Sequence, residues 1–319
     1  MITVVMYHYV REIKNSRYPG IKGLEAGLFK KQLSYLKQYY SFITMEELIA
    51  SFEESYELPE NAVLLTFDDG YLDHFKVVFP VLDQMKIEGS FFVPVKPVME
   101  SRVLDVNKIH FMLATVPIDK LLSRTEDMLG GMKNEPGILT YKEYYRELAN
   151  PNRFDPAEVI FIKRLLQHKL PDPYRSEIVD HLFETCFHVS EEVLAKELYL
   201  SLDQCRSMLK NGMHIGAHTY DHYWLDKIDE SEQQRQFKLN LEFLEDLGAG
   251  KRTMAYPFGG YNSTTLTLMH RYDFSAGFTT RVDTITDSGR ISKYELPRVD
   301  TNDIPKGAAS IAPTSQQIK

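Results

Sequence analysis

Cysteine is almost missing: Cys186 and Cys205 are the only two in 319 residues. A disulfide framework and a cysteine-based metal site are therefore not expected, and one bridge at most could form. Basic runs are missing too. With a net charge of −8 and no long Lys/Arg stretch, the chain is poorly suited to nucleic acid or an anionic membrane surface, and neutral or cationic ligands fit better. No stretch approaches the roughly 18 apolar residues that a membrane span requires. The opening MITVVMYHYV lacks the charged, apolar and small-residue sections of a signal peptide, so the expected location is the cytoplasm. Internal repeats and low-complexity tracts are absent as well. What the chain does have is a hydrophobic content of 43%, ample for a core in one large α/β domain or two smaller ones.

Along the chain, strand-like and helix-like segments alternate. ITVVMY reads as a strand, FKKQLSYLKQYY and MEELIASFEE as helices, VLLTF as a strand, HFKVVFPVLDQM as a helix and GSFFVPV as a strand. This alternation predicts a parallel sheet or barrel with helices outside. The rhythm breaks at Val103. From there to Lys210 the text is mostly helical, punctuated by NEPG and LPDP, and predicts a helical insertion over 103–210 within a single domain spanning 1–319. The alternation returns with MHIGAHT, ESEQQRQFKLNLEFLEDLG, MAYPF, STTLTLMHRY, SAGFTT and ELPRVD, leaving KGAASIAPTSQQIK as a tail or edge segment.

Two stretches stand out chemically. TFDDG, residues 66–70, places adjacent carboxylates where a strand ends. One Asp and a Gly there are ordinary turn chemistry, but adjacent carboxylates repel and call for a cation or hydrogen bonds. GAHTYDHYWL sets His218 and His222 four apart in a strand followed by a tight turn. Two imidazoles and one carboxylate suit zinc or its neighbours and leave a position open for water and substrate. Taken singly, TFDDG is more often a strand-end turn and the histidine pair more often a surface coincidence. Together they support a metal site.

Two further stretches follow in order, AYPFG (255–259) and LPRVD (296–300). With TFDDG and HTYDH they make the chain resemble the polysaccharide deacetylases of the NodB-homology type, carbohydrate esterase family 4. The likeness covers most of the chain outside 103–210. It implies a distorted (β/α) barrel with its site at the C-terminal ends of the strands, where TFDDG and GAHT both fall. Carried over, it implies that Asp69, His218 and His222 hold a divalent metal, with Zn²⁺ expected first and Ni²⁺ or Co²⁺ compatible. Asp68 would be the catalytic base, its neighbour held by the cation while it stays free to take a proton from activated water. A backbone N–H near Phe258 would face the developing oxyanion, in a turn set by Pro257.

The chain departs from the commonest family pattern twice. Where many members carry an Arg that tethers the base, this one has Ala255, and Arg298 in LPRVD is the expected substitute because its planar fork suits a carboxylate. No His follows His270, which lies in helical text and is expected to be structural. The general acid is instead assigned to His8 in VMYHYV. A similar YH motif opens a subgroup that includes the bacterial biofilm poly-N-acetylglucosamine enzymes, in which the early His is the acid. His214 is expected to be structural, His74 and His110 lie in helical text with no ligand partner, and Asp73 is expected to cap the following helix.

Aromatic residues gather around the motifs, and sugar rings present apolar faces to such side chains. Tyr71, Trp224, Tyr256, Pro257 and Phe258 are the expected substrate contacts, Trp224 foremost as the single Trp. The expectation is a metal-dependent hydrolase removing an N-acetyl group from an amino sugar in a glycan or its precursor. The alternatives are a deacylase of another amide and a catalytically silent glycan-binding protein.

Overall fold

The computed structural model describes residues 1–53, 56–152, 155–172, 174–286 and 288–306. The expected tail lies outside these from residue 307 onward. The described chain clusters into two compact units, one made of 1–12, 23–101 and 196–306, the other of 13–22 and 102–195.

The first unit is built on a curled parallel sheet. Its strands are β1 (Ile2–Tyr7), β4 (Ser41–Phe42), β5 (Ala62–Phe67), β6 (Ser90–Val93), β7 (His214–Ala217), β8 (Thr253–Ala255), β9 (Ala276–Phe278) and β10 (Val299–Asp300). They pair in parallel in the order β10-β1-β5-β6-β7-β8-β9, with β4 on β5. A small separate pair joins β2 (Val10–Arg11) to β3 (Leu24–Glu25).

The chain just before β10 closes the curl. Leu296 bridges to Phe278 of β9, whereas Val299 sits in register with Val5 of β1, so one short segment links the two ends of the sheet. The result is a distorted (β/α) barrel. β1 and β5 are buried along their whole length, which explains why ITVVMY and AVLLTF are continuous apolar runs and not alternating ones. Aromatic side chains fill the interior: Phe67 stacks between Tyr7, at 5.0 Å, and Phe91, at 4.8 Å. Each such ring taken from water contributes about 1.5–3 kcal/mol.

The predicted elements appear with local differences. HFKVVFPVLDQM begins as a π-turn, His74–Val78, before the α-helix Phe79–Met85. β2, β3 and β4 are two residues each, too short to carry a periodic signal. Helix Leu202–Lys210 buries Cys205 and Met208 in the barrel's own core, although the sequence pattern groups it with the insertion. Both cysteines are free and buried.

The second unit is helical, with Asp105–Thr115, Ile118–Gly131, Tyr141–Leu148, Ala157–Arg164 and Tyr174–Cys186 as its main helices. It also takes in 13–22, which the sequence pattern does not single out: Tyr18 packs edge-on against Phe111 at 4.8 Å, and Lys22 bonds Asp155 at 2.5 Å. Among the described residues no helix is long and apolar enough to cross a membrane.

Candidate active site

The site forms where β5, β7 and β8 end. After Phe67 the chain turns sharply, because Asp69 and Gly70 both adopt left-handed backbone, with φ of 74° and 60°. Gly70 is required twice over: a Cβ there would lie 2.9 Å from the Val93 side chain, and its φ disfavours any L side chain. The turn directs the two carboxylates differently, and they acquire different partners.

Asp69 faces the histidines. Its Oδ1 lies 3.3 Å from His218 Nε2 and 3.2 Å from His222 Nε2, and the two Nε2 atoms are 3.2 Å apart. All three residues are buried. Donor atoms about 2.0–2.2 Å from one tetrahedral cation stand roughly 3.3–3.6 Å from each other, and about 3 Å at right angles, so this triangle fits a small divalent ion. His218 Nδ1 donates to the Ala255 carbonyl at 2.7 Å, which leaves the Nε2 lone pair facing the triangle. Position 255 therefore contributes through its backbone. Tyr71 donates to Asp69 Oδ2 at 2.6 Å and leaves Oδ1 turned to the imidazoles.

Asp68 faces Arg298. The guanidinium grips it with two parallel bonds, Nη1 to Oδ1 at 2.8 Å and Nη2 to Oδ2 at 2.7 Å, and its Nε donates to the Thr279 carbonyl at 2.9 Å. Arg298 is fully buried and Asp68 is 2% exposed. Burial pushes the Asp68 carboxyl upward, but Arg298 beside it outweighs that and holds it below the usual carboxylate range. Asp69 is pulled down further: its burial is overcome by the two imidazoles that face it. Burial itself presses His222 toward the neutral form that a metal ligand needs.

The histidine turn is equally constrained. Thr219 and His222 have φ of 59° and 60°. Thr219 Oγ1 accepts the His222 N–H at 3.0 Å, and Gln236 Oε1 accepts the N–H groups of both Tyr220 and Asp221. Among the described residues eight non-glycine residues have positive φ, and four of them, Asp69, Thr219, His222 and Phe258, surround this site. Each such conformation costs on the order of 1–3 kcal/mol and persists only where neighbours over-determine it.

His8 lies just past β1, its side chain 42% exposed and its Nε2 4.0 Å from Asp68 Oδ2. Phe258 stands edge-on to His222 at 4.8 Å and stacks on Trp224 at 4.6 Å with an interplanar angle of 5°, both rings half-buried. Pro257 is buried, so it sets the turn and offers little surface to a substrate. Tyr71 and Tyr256 correct the sequence expectation: both are fully buried and cannot form a surface for a sugar. The Tyr71 hydroxyl is committed to Asp69, and that of Tyr256 donates to the Tyr294 carbonyl at 2.8 Å. Asp73 makes no cap hydrogen bond and instead receives Arg11 Nε at 2.6 Å. His214 bonds Thr253 Oγ1 at 2.7 Å, inside the sheet. His74 and Gln236 bear on the site without any motif to mark them, and Ala255, although it opens AYPFG, does so only through its main chain. Their contributions are a side-chain donor, a side-chain acceptor and a main-chain carbonyl, and none of these leaves a pattern in residue spacing.

A family model described as polysaccharide deacetylase matches residues 180–277 of the chain. The matched segment contains His218, His222 and Phe258; Asp68, Asp69 and Arg298 join them only in the folded chain. The putative polysaccharide deacetylase YxkH of Bacillus subtilis is 27% identical over 127 residues, 39% of this chain and 44% of that protein. The chain thus aligns with less than half the length of this curated relative. Among solved structures, the Streptococcus pyogenes deacetylase PplD in complex with acetate superposes with a TM-score of 0.56 at 18% identity, covering 94% of this chain and 91% of that one. IcaB from Ammonifex degensii gives 0.54 at 21% identity, with 93% and 90% covered. At these identities the likeness establishes the fold.

Proposed function

We propose that the protein is a metal-dependent hydrolase that removes an N-acetyl group from an amino sugar in a glycan or glycan precursor. The observation that carries this reading is the division of labour between adjacent carboxylates: Asp69 points into a three-donor triangle with His218 and His222, while Asp68 stays outside it, held by Arg298. A binding protein would need only the first. A divalent cation, zinc first among the candidates, would acidify water and polarise the acyl carbonyl when bound.

The chain's own groups supply the rest. Asp68, kept ionised by Arg298, takes a proton from water as the water oxygen adds to the carbonyl carbon. Phe258, in the left-handed turn beside His222, offers its N–H to the oxygen that gains charge. His8 then donates a proton to the departing nitrogen as the C–N bond breaks, since an amine leaves poorly without one. Acetate and a free amino sugar result, and acetate is the molecule with which the Streptococcus pyogenes relative is in complex. The Trp224–Phe258 stack gives an apolar rim suited to a sugar face.

The test is acetate release from a panel of N-acetylated amino sugars and their oligomers by zinc-loaded protein. Asp68→Asn is expected to lose at least about a hundredfold in turnover, the scale of general-base catalysis, with zinc content unchanged. Equal release by wild type and variant sinks the proposal.

A further inference from the structure

The break between β1 and β2 contains His8. Three consecutive carbonyls in this stretch are held. That of Tyr7 accepts the Asp68 N–H at 2.9 Å, that of Tyr9 accepts the Leu24 N–H at 2.9 Å, and that of His8 accepts His74 Nε2–H at 2.9 Å. Only the middle one relies on a side chain. Because a carbonyl can only accept, the His74 ring must carry its proton on Nε2, and burial keeps it neutral.

His74 is a costly residue at its position. It is fully buried in an aromatic nest, 5.6 Å from the rings of Phe67, Tyr71 and Phe91. Its Nδ1 has no hydrogen-bond partner among the described residues. A phenylalanine would fill the same nest without an orphaned nitrogen. What the imidazole has that phenylalanine lacks is the Nε2–H bonded to His8. His74 also begins the π-turn His74–Val78, a local departure from α-helical geometry of the kind often found beside functional sites.

We infer that His74 is a positioning residue for the reaction: its bond to the His8 carbonyl fixes the backbone at residue 8 and so holds the His8 imidazole beside Asp68. This rests on the reading of His8 as the proton donor. The flanking carbonyls of Tyr7 and Tyr9 are held by backbone partners, so the His74 donor is what restrains the carbonyl between them, and its loss lets that peptide tilt and carry the half-exposed imidazole away from the leaving nitrogen. Misplacement of a catalytic group by a fraction of an ångström to one ångström lowers turnover without changing what binds.

The experiment compares His74→Phe, His74→Leu, His74→Gln, His8→Ala and the double variant His8→Ala/His74→Phe as zinc-loaded proteins, measuring kcat, KM, zinc content and thermal midpoint. His74→Phe is expected to lower kcat about tenfold with KM and zinc content within twofold of wild type and no loss of thermal stability. His74→Gln, whose terminal amide reaches the position of Nε2, is expected to restore kcat to within about threefold. In the His8→Ala background, His74→Phe is expected to add less than a twofold loss. His74→Leu is the second variant without a donor and carries the comparison if the phenylalanine variant does not fold. A wild-type kcat in His74→Phe, an equal loss in both backgrounds, or a loss that tracks zinc content would overturn the inference. If His8→Ala keeps wild-type turnover, the reading of His8 falls and this inference falls with it. If His8→Ala is impaired while His74→Phe is not, only the inference falls.

Discussion

Tyr71→Phe removes a single oxygen, and the structure sets what that should cost. The hydroxyl donates to Asp69 Oδ2 at 2.6 Å, with Tyr71 at 0% and Asp69 at 6% exposure. Burial, assisted by the Asp69 charge, pushes the phenol well above its ordinary range, so it remains a donor at all working pH values. The ring cannot swing away because it stacks on Tyr9 at 4.0 Å and 13°. A net hydrogen bond to a charged group contributes about 1.5–3 kcal/mol. Groups that orient metal ligands typically account for about 10–100-fold in metal affinity, which at about 1.36 kcal/mol per tenfold is roughly 1.4–2.7 kcal/mol. The two estimates agree. Competition with a chromogenic chelator should therefore show zinc bound 10–100-fold more weakly by Tyr71→Phe. KM at saturating zinc should be unchanged, because the ring does not reach the surface. Zinc affinity within twofold of wild type would refute the argument that Tyr71 orients Asp69. A raised KM with intact affinity would return Tyr71 to the role of substrate contact.

Arg298→Met leaves the buried Asp68 charge without its partner. Breaking such a pair from one side costs about 3–5 kcal/mol, which denaturant unfolding should register as a lower midpoint with an unchanged slope; a midpoint equal to wild type would mean that Asp68 finds another partner. Glu88 offers a pH test away from the site. Its burial, opposed by the Met45 N–H it accepts at 2.7 Å, raises its pKa to about 7. The folded state then holds a proton between about pH 4.5 and 7 that the unfolded state has lost, so stability falls as pH rises through that window. Glu88→Gln keeps the acceptor and removes the titration. The variant should gain on the order of 1–3 kcal/mol at pH 8 and nothing at pH 4. Parallel stability curves for the two proteins would contradict this.

Much of the fold was legible because each long element carries its own local signal. β1 and β5 announce themselves as apolar β-rich runs, and helix Glu230–Leu247 by its period and by Gly248, which ends it with φ of 69°. Two-residue strands carry no such signal, and neither does the membership of 13–22 in the helical unit, which depends on Tyr18 meeting Phe111. At the site, the motif residues were legible as chemistry. Paired carboxylates, spaced imidazoles and a late Arg are rare enough together to suggest a metal and a base.

The residues themselves therefore determined the alternation expected of a parallel sheet or barrel, the imidazole pair His218 and His222, and the acidic pair at a strand end, since these follow from side-chain chemistry and short-range spacing; the choice of Asp69 over Asp68 as the third donor came from the family resemblance. Tertiary structure alone decided that Arg298 reaches across 230 positions to grip Asp68. It also decided that Tyr71 and Tyr256 turn inward, that the Ala255 carbonyl fixes the His218 tautomer, and that His74 supports His8. The physical reason is that a hydrogen bond depends on where donor and acceptor arrive in space. For groups far apart in the chain, only sheet register and strand-end geometry determine that arrival.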